Sequence, residues 1–176
     1  MLQLLLLRHA KSSWDDPALE DHERQLAKRG TKAARRMGRF MADENIMPDL
    51  ILSSDAIRTR ATLTLIMAAA APDPMPPITF SNDLYLPGAQ TILDVVRREA
   101  GAARSVMVVA HNPGLQALAL SLTRSGAKRD LEALAMKFPT AALAELTFDA
   151  TAQWDDIAPA SGHLARLVVP RDLMSK

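Results

Sequence analysis

Two dominantly apolar runs, Leu2–Leu7 and Val106–Ala110, lack the alternation of a half-exposed strand and predict central strands covered on both faces. Between them the pattern changes period. Over Leu26–Asn45 the apolar residues Ala33, Met37, Phe40 and Met41 recur at helical spacing among many basic ones, predicting an amphipathic helix. A short strand follows at Leu50–Leu52, then a helix rich in alanine and leucine over Asp55–Ala71. The run 71–77 holds four prolines and must be a loop, since proline cannot continue a helix. Ile78–Phe80 reads as a third strand, Gly88–Ala100 as a helix and Pro113–Thr123 as another. Further on, Ala144–Phe148 and Leu164–Val169 read as strands joined by a loop carrying Trp154, and are expected to pair antiparallel at a sheet edge. Early alternation of strand and helix predicts an α/β fold: a three-layer α/β/α sandwich with a mostly parallel central sheet and an antiparallel edge strand. No repeat, linker or low-complexity segment divides residues 1–176, which are expected to form a single domain.

Composition narrows the classes. Hydrophobic residues make up 48% and charged residues 23%, ordinary for a globular protein. A net charge of +1 gives no broad basic surface for nucleic acid. Cysteine is absent, which excludes disulfides and thiolate metal sites and fits a reducing compartment. The first apolar run has no basic residue before it and meets Arg8, Lys11 and Asp15 at once, unlike a secretory signal with about 7–15 apolar residues behind a positive segment. No stretch approaches the roughly 18 apolar residues of a membrane span. A cytoplasmic protein without membrane association is the expectation.

Candidate chemistry gathers where α/β sheets bind ligands, beyond the carboxyl ends of the strands. Arg8-His9 closes the first strand, Ser53-Ser54 the second, with Arg58 one helical turn later, and His111 closes the Val106–Ala110 strand. Two histidines and two arginines so placed suit a dianionic phosphoryl group. Guanidinium groups present forked donors to its oxygens. A neutral imidazole can attack phosphorus, and a protonated one can donate to an oxygen. Asn112 and Pro113 fit the cap and first residue of the following helix, and a serine of Ser53-Ser54 can cap the helix carrying Arg58. Helix N-termini aimed at one crevice favour an anion. Singly, each residue has an ordinary explanation: a neutralised carboxylate for Arg8, a structural histidine, a solvated face for Arg58-Thr59-Arg60. Together they are much less readily accidental.

These residues resemble a known family. Leu7-Arg8-His9-Ala10 is similar to the Arg-His-Gly signature of the histidine phosphatase superfamily, whose fold is that of phosphoglycerate mutase. Ser53-Ser54-Asp55-Ala56-Ile57-Arg58-Thr59-Arg60-Ala61-Thr62 resembles its second block, and Val109-Ala110-His111-Asn112 the block with the second histidine. The resemblance implies that His9 is the nucleophile, carrying a transient phosphohistidine. It implies that Arg8, Arg58 and His111 clamp the phosphoryl oxygens, with neither metal nor cofactor needed. Ala10 stands where glycine is usual. Lys11-Ser12-Ser13-Trp14-Asp15 departs from the sugar-phosphate mutases, and the run from Arg8 to Gly30 resembles instead the small SixA-type phosphohistidine phosphatases. That implies a phosphohistidine-bearing protein as partner, such as a histidine phosphotransfer domain, and a role in signal transduction.

Asp83 lies where many superfamily members carry a carboxylate that protonates the leaving oxygen; a loop-capping aspartate is the other reading, and both stay open. His22 and Arg24 precede the first helix, and His22 is expected to be exposed in a polar turn. His163 is expected to be structural, and Met37, Met41 and Met67 to fill the core. No His-x-His or His-Glu-x-x-His spacing suggests a metal, and no Gly-x-Ser-x-Gly elbow suggests a serine hydrolase. Two alternatives remain: the same chemistry on a small phosphomonoester, or a catalytically inactive phosphopeptide-binding module. Against the second stands the presence of all four core residues.

Overall fold

The computed structural model describes residues 1–173. Every predicted run forms an element of the expected type, its ends displaced by two residues at most. In chain order these are β1 (Gln3–Arg8), α1 (Lys28–Asp43), β2 (Leu50–Ser54), α2 (Ile57–Ala70), β3 (Ile78–Ser81), α3 (Ala89–Glu99), β4 (Ser105–Ala110), α4 (Gly114–Leu122), β5 (Thr123–Gly126), α5 (Lys128–Met136), β6 (Leu143–Thr147) and β7 (Gly162–Val168). The pattern of the sequence did not reveal β5 or α5.

The strands form one seven-stranded sheet in the order β3-β2-β4-β1-β6-β7-β5. Pairing is parallel from β3 through β1 and between β7 and β5; β6 alone runs antiparallel to its neighbours. The last two predicted strands thus pair antiparallel as expected, but not at the edge. The antiparallel strand β6 is interior, flanked by β1 and β7, and β5 adds outside β7 to complete that side. Trp154 closes the loop between β6 and β7 by donating its indole N–H to the Ala103 carbonyl at 2.7 Å.

Side-chain alternation divides the core into two layers. Leu4 and Leu6 of β1, with Val106 and Val108 of β4, pack under α3 and α4 through Ile92, Val96, Leu115 and Leu118. Leu5 and Leu7, with Met107 and Val109, pack under α1 and α2 through Met37, Met41, Ile66 and Met67. Both faces are covered, which is why these strands read as continuous apolar runs. Each fully buried leucine of β1 contributes about 1.5–3 kcal/mol of transfer free energy. Among the described residues no helix is long and apolar enough to cross a membrane.

One close approach fixes the segment after β1. Lys11 and Ser13 bond the 25–27 segment: Ala27 N–H donates to the Lys11 carbonyl at 2.9 Å and Ser13 N–H to the Gln25 carbonyl at 2.8 Å. A Cβ at Gly30, in the first turn of α1, would sit 2.1 Å from the Lys11 carbonyl oxygen. Only glycine lets the helix meet that backbone. Gly30→Ala is therefore expected to lower unfolding free energy by ~1–3 kcal/mol, the usual cost of forced overpacking. Urea unfolding measures it, and a loss under ~0.5 kcal/mol, typical of an innocuous surface change, would contradict the contact.

Candidate functional site

Parallel register brings the predicted residues together. Arg8 pairs with Ala110 and Ser53 with Val109, so the ends of β1, β4 and β2 lie side by side. His9 and His111 emerge from neighbouring strands with ring centroids 5.1 Å apart. Arg58 reaches the same place from the first turn of α2, its Nη2 3.3 Å from His111 Nδ1. Arg58 is buried, whereas Arg60, two residues on, lies over the Phe80 ring in the outer surface. The solvated-face reading of this arginine pair thus holds for Arg60 only.

Hydrogen bonds assign the tautomers. His9 Nδ1 lies 2.7 Å from the Ala10 carbonyl, which can only accept, so Nδ1 carries the proton and Nε2 keeps its lone pair. Ala10 N–H donates to Thr62 Oγ1, which in turn donates to the Arg58 carbonyl, tying the nucleophile's turn to α2. His111 accepts from Arg58 at Nδ1 and donates from Nε2 to Ser54 Oγ at 2.9 Å. Arg8 donates to the Phe138 carbonyl at 2.9 Å, while its Nε–H is buried without a partner among the described residues.

Residues that were not predicted complete the cluster. Asp21, in a 3-10 turn before α1, accepts from Arg58, from Arg24 at 3.1 Å and from the Tyr85 hydroxyl at 2.6 Å. Arg24 is buried, donates to Ser12 Oγ and stacks 3.2 Å from the centre of the Trp14 ring. Tyr85 stands edge-on to His111. The polar run Asp21-His22-Glu23-Arg24 was the sequence signal, but nothing local says that it folds back onto Arg58. His22 is partly exposed in that turn, 2.8 Å from Asp55 Oδ1. His163 shares a hydrogen bond with Ser125 between β7 and β5, away from the cluster.

Three expectations need correcting. Asp83 follows β3 as predicted, but its carboxylate pairs with Arg98 of α3 at 3.0 Å, and Asp83 does not line the pocket. Its N–H bonds Ser81 Oγ, so the Ser81–Asp83 turn is capped and the side chain is directed outward. Asn112 and Pro113 sit one position earlier relative to α4 than expected. Pro113 is the N-cap of the helix, which starts at Gly114, and Asn112 Oδ1, one residue before it, still accepts from Gln116 N–H of the first turn. A serine does not cap α2: Ala56 stands at its N-cap, and the Ser54 hydroxyl accepts from Ala56 N–H at 3.3 Å in the turn before the helix.

The pocket so formed has a volume of about 220 Å³. Arg8, His9, Arg24, Arg58 and His111 line its base, and the exposed Trp14 and Leu86 border its mouth. No carboxyl group lines it among the described residues. Nor does any group of three or more histidine, aspartate or glutamate side chains there have the spacing to hold a metal ion.

Electrostatics follow from burial among cations. Desolvation lowers the His9 pKa from 6.5 to about 4, aided by the charges of Arg58, Arg8 and Arg24 and opposed by the Ala10 hydrogen bond. Desolvation likewise lowers His111 to about 3, with His9 and Arg58 adding to it. The Tyr85 hydrogen bond, then the Arg58 charge, take Asp21 down to about 2 against the opposing effect of burial. Both histidines are neutral in the folded chain over a range where unfolded histidine is charged.

That difference sets a pH dependence of stability. Below 6.5 the unfolded chain binds protons that His9 refuses until about 4 and His111 until about 3. Their contribution is complete above pH 6.5 and is lost as the pH falls through that window. Urea midpoints should therefore drop steadily from pH 6.5 towards 4, and a His9→Asn/His111→Asn double variant should show a shallower drop. An unchanged slope in the variant would mean that the two imidazoles are not the groups responsible.

Comparison with known proteins agrees with this geometry. The sequence profile of the Histidine phosphatase superfamily (branch 1) matches residues 4–84. An uncharacterized protein of Mycobacterium leprae is 30% identical over 169 residues, covering 94% of this chain and 100% of the relative. A SixA protein of Agrobacterium tumefaciens, described as a candidate phosphohistidine phosphatase, superposes with a TM-score of 0.79 at 29% identity, over 96% of this chain and 98% of that one. A similarly described SixA protein of Nakamurella gives 0.80 at 27% identity, over 96% of each chain. With its paired strand-end histidines, buried arginines and phosphoglycerate-mutase-like sheet, the chain belongs to the histidine phosphatase superfamily and is a phosphatase of the SixA type.

Proposed function

We propose that this phosphatase removes phosphoryl groups from phosphohistidine in proteins, through a phosphohistidine formed on His9. The observation that carries this reading is the small pocket without a carboxyl group at its wall. At about 220 Å³ it is smaller than the ~300–1,000 Å³ of most small-molecule sites. It holds a phosphoryl group and little more, leaving the body of the substrate outside. Trp14 and Leu86 offer apolar surface to a ring at the mouth.

The chemistry follows from the tautomers. The His9 Nε2 lone pair attacks phosphorus in line, and the P–N bond of the substrate breaks with its electron pair passing to the departing imidazole. Guanidinium groups of Arg8 and Arg58 receive the oxygens, replacing the fixed positive charge that a metal supplies elsewhere. A dianion raises the proton affinity of His111, which then donates to a transferring oxygen. Water next attacks phospho-His9, the P–N bond breaks towards His9, and inorganic phosphate leaves with the water's proton. An ester departs as an alkoxide and needs an acid, worth about 10²–10⁴-fold. An imidazole, with a solution pKa near ~6.5, takes its proton from solvent. The absence of a lining carboxyl group therefore favours phosphohistidine over phosphomonoesters.

The deciding experiment is kcat/KM on a phosphohistidine protein beside a panel of alkyl phosphate esters. The protein substrate is expected to win by at least ~10²-fold, the lower edge of the general-acid contribution that esters lack. His9→Ala should abolish turnover of both and the acid-labile label on the enzyme. Asp83→Asn should leave both rates within a few-fold, given its outward pairing with Arg98. Esters turned over as fast as the phosphoprotein, with a large loss on Asp83→Asn, would replace this reading with that of a phosphomonoesterase.

Asp21 acts through Arg58 as a positioning residue. Hydrogen bonds to charged groups contribute about 1.5–3 kcal/mol, less when exposed to water as Asp21 partly is. Asp21→Asn is expected to lower kcat about tenfold with little change in KM, since the loosened guanidinium matters most when charge develops on the oxygens. A change in KM alone would assign Asp21 to substrate binding.

A further inference from the structure

A second and larger concavity, of about 860 Å³, lies beside the catalytic pocket between α1 and α5. Arg8, Lys11 and Thr140 line both, so the groove opens directly onto the phosphoryl position. Part of its lining is apolar: Ala33 of α1, Ala133 and Met136 of α5, and Leu167 of β7, with Met136 86% exposed. Its walls are basic, carrying six arginines and lysines against three carboxylates.

Those carboxylates are already engaged. Asp172 lies 3.5 Å from Arg129 and 3.6 Å from Arg171, Asp130 accepts from Leu167 N–H, and Glu132 faces Lys128 outside the groove. Lys11, Arg29 and Lys137 form no ion pair among the described residues. The chain as a whole is near neutrality at +1, so the positive charge here is local. Apolar side chains interleaved with unpaired cations complement an acidic, partly apolar protein surface.

We propose that this groove docks an acidic segment of the phosphoprotein beside its phosphohistidine, selecting substrates by charge outside the reacting centre. The proposal rests on the phosphohistidine reading for the identity of the occupant. Docking contributes to capture and orientation, while the chemistry stays with His9. Steering by opposite charge raises association by about 10–10³-fold and fades with salt, whose screening length is ≈ 8 Å at physiological strength.

Two phosphohistidine peptides of equal length test it, one flanked by glutamates and the other by glutamines, together with free phosphohistidine. The enzyme should favour the acidic peptide by at least ~10-fold in kcat/KM at low salt, with the preference shrinking as sodium chloride is added. Arg29→Glu/Lys137→Glu should erase the preference and leave free phosphohistidine hydrolysis unchanged, because neither residue lines the catalytic pocket. Fluorescence anisotropy of the unphosphorylated acidic peptide separates docking from chemistry. Binding to the wild type that is lost in the double variant supports the groove even if no phosphohistidine substrate is turned over. Equal rates on both peptides with no binding would overturn it. So would a single-stranded oligonucleotide that binds more tightly than the acidic peptide and is released by the same variant, which would assign the groove to nucleic acid.

Discussion

Three guanidinium groups and two imidazoles meet at the ends of three adjacent strands, and one carboxylate answers them. Asp21 binds Arg58 and Arg24 at once and takes the Tyr85 hydroxyl on the same oxygen as Arg58. Cations cannot be gathered out of water without a counter-charge or a drop in proton affinity. Arginine cannot give up its proton here, whereas the histidines, desolvated by burial and then repelled by these charges, stay neutral, and one imidazole keeps a lone pair available. Burial is the main reason that the imidazoles lack protons, and the neighbouring cations, whose excess charge a phosphoryl dianion relieves, add to it. Nucleophile and anion receptor thus share one buried, cation-rich environment.

How far the sequence told of this depended on whether a residue's role was local. His9, Arg8, Ser54 and His111 sit at the ends of strands whose apolar runs are unmistakable, and parallel pairing puts those ends together. Asp21 and Arg24 lie in an irregular turn whose path is set by bonds to Ser12, Ser13 and Arg58, none of them visible as a pattern. Asp83 shows the opposite limit. Its backbone is where the strand-end rule places it, but the direction of its side chain is decided by Arg98 on α3.

The missed elements have similar explanations. β5, Thr123-Arg124-Ser125-Gly126, has no apolar alternation and owes its place to pairing with β7. Without it β6 and β7 look like the border of the sheet. α5 buries only Leu134, so its hydrophobic pattern is too thin to declare a helix. The same thinness leaves Met136 and the basic side chains of its neighbourhood facing outward along the groove.

The Phe138 carbonyl receives both Arg8 Nη1 and Asn112 Nδ2, while the Phe138 ring is wholly buried beneath. The aim of Arg8 is thus fixed by a main-chain oxygen, which every amino acid supplies alike. Within the α5–β6 connection the buried Phe138 ring anchors that oxygen, and Thr140 lines the pocket it serves. An inserted or deleted residue there would swing the carbonyl away and disarm Arg8 without replacing it. Length is therefore as binding a constraint on this connection as any side chain in it.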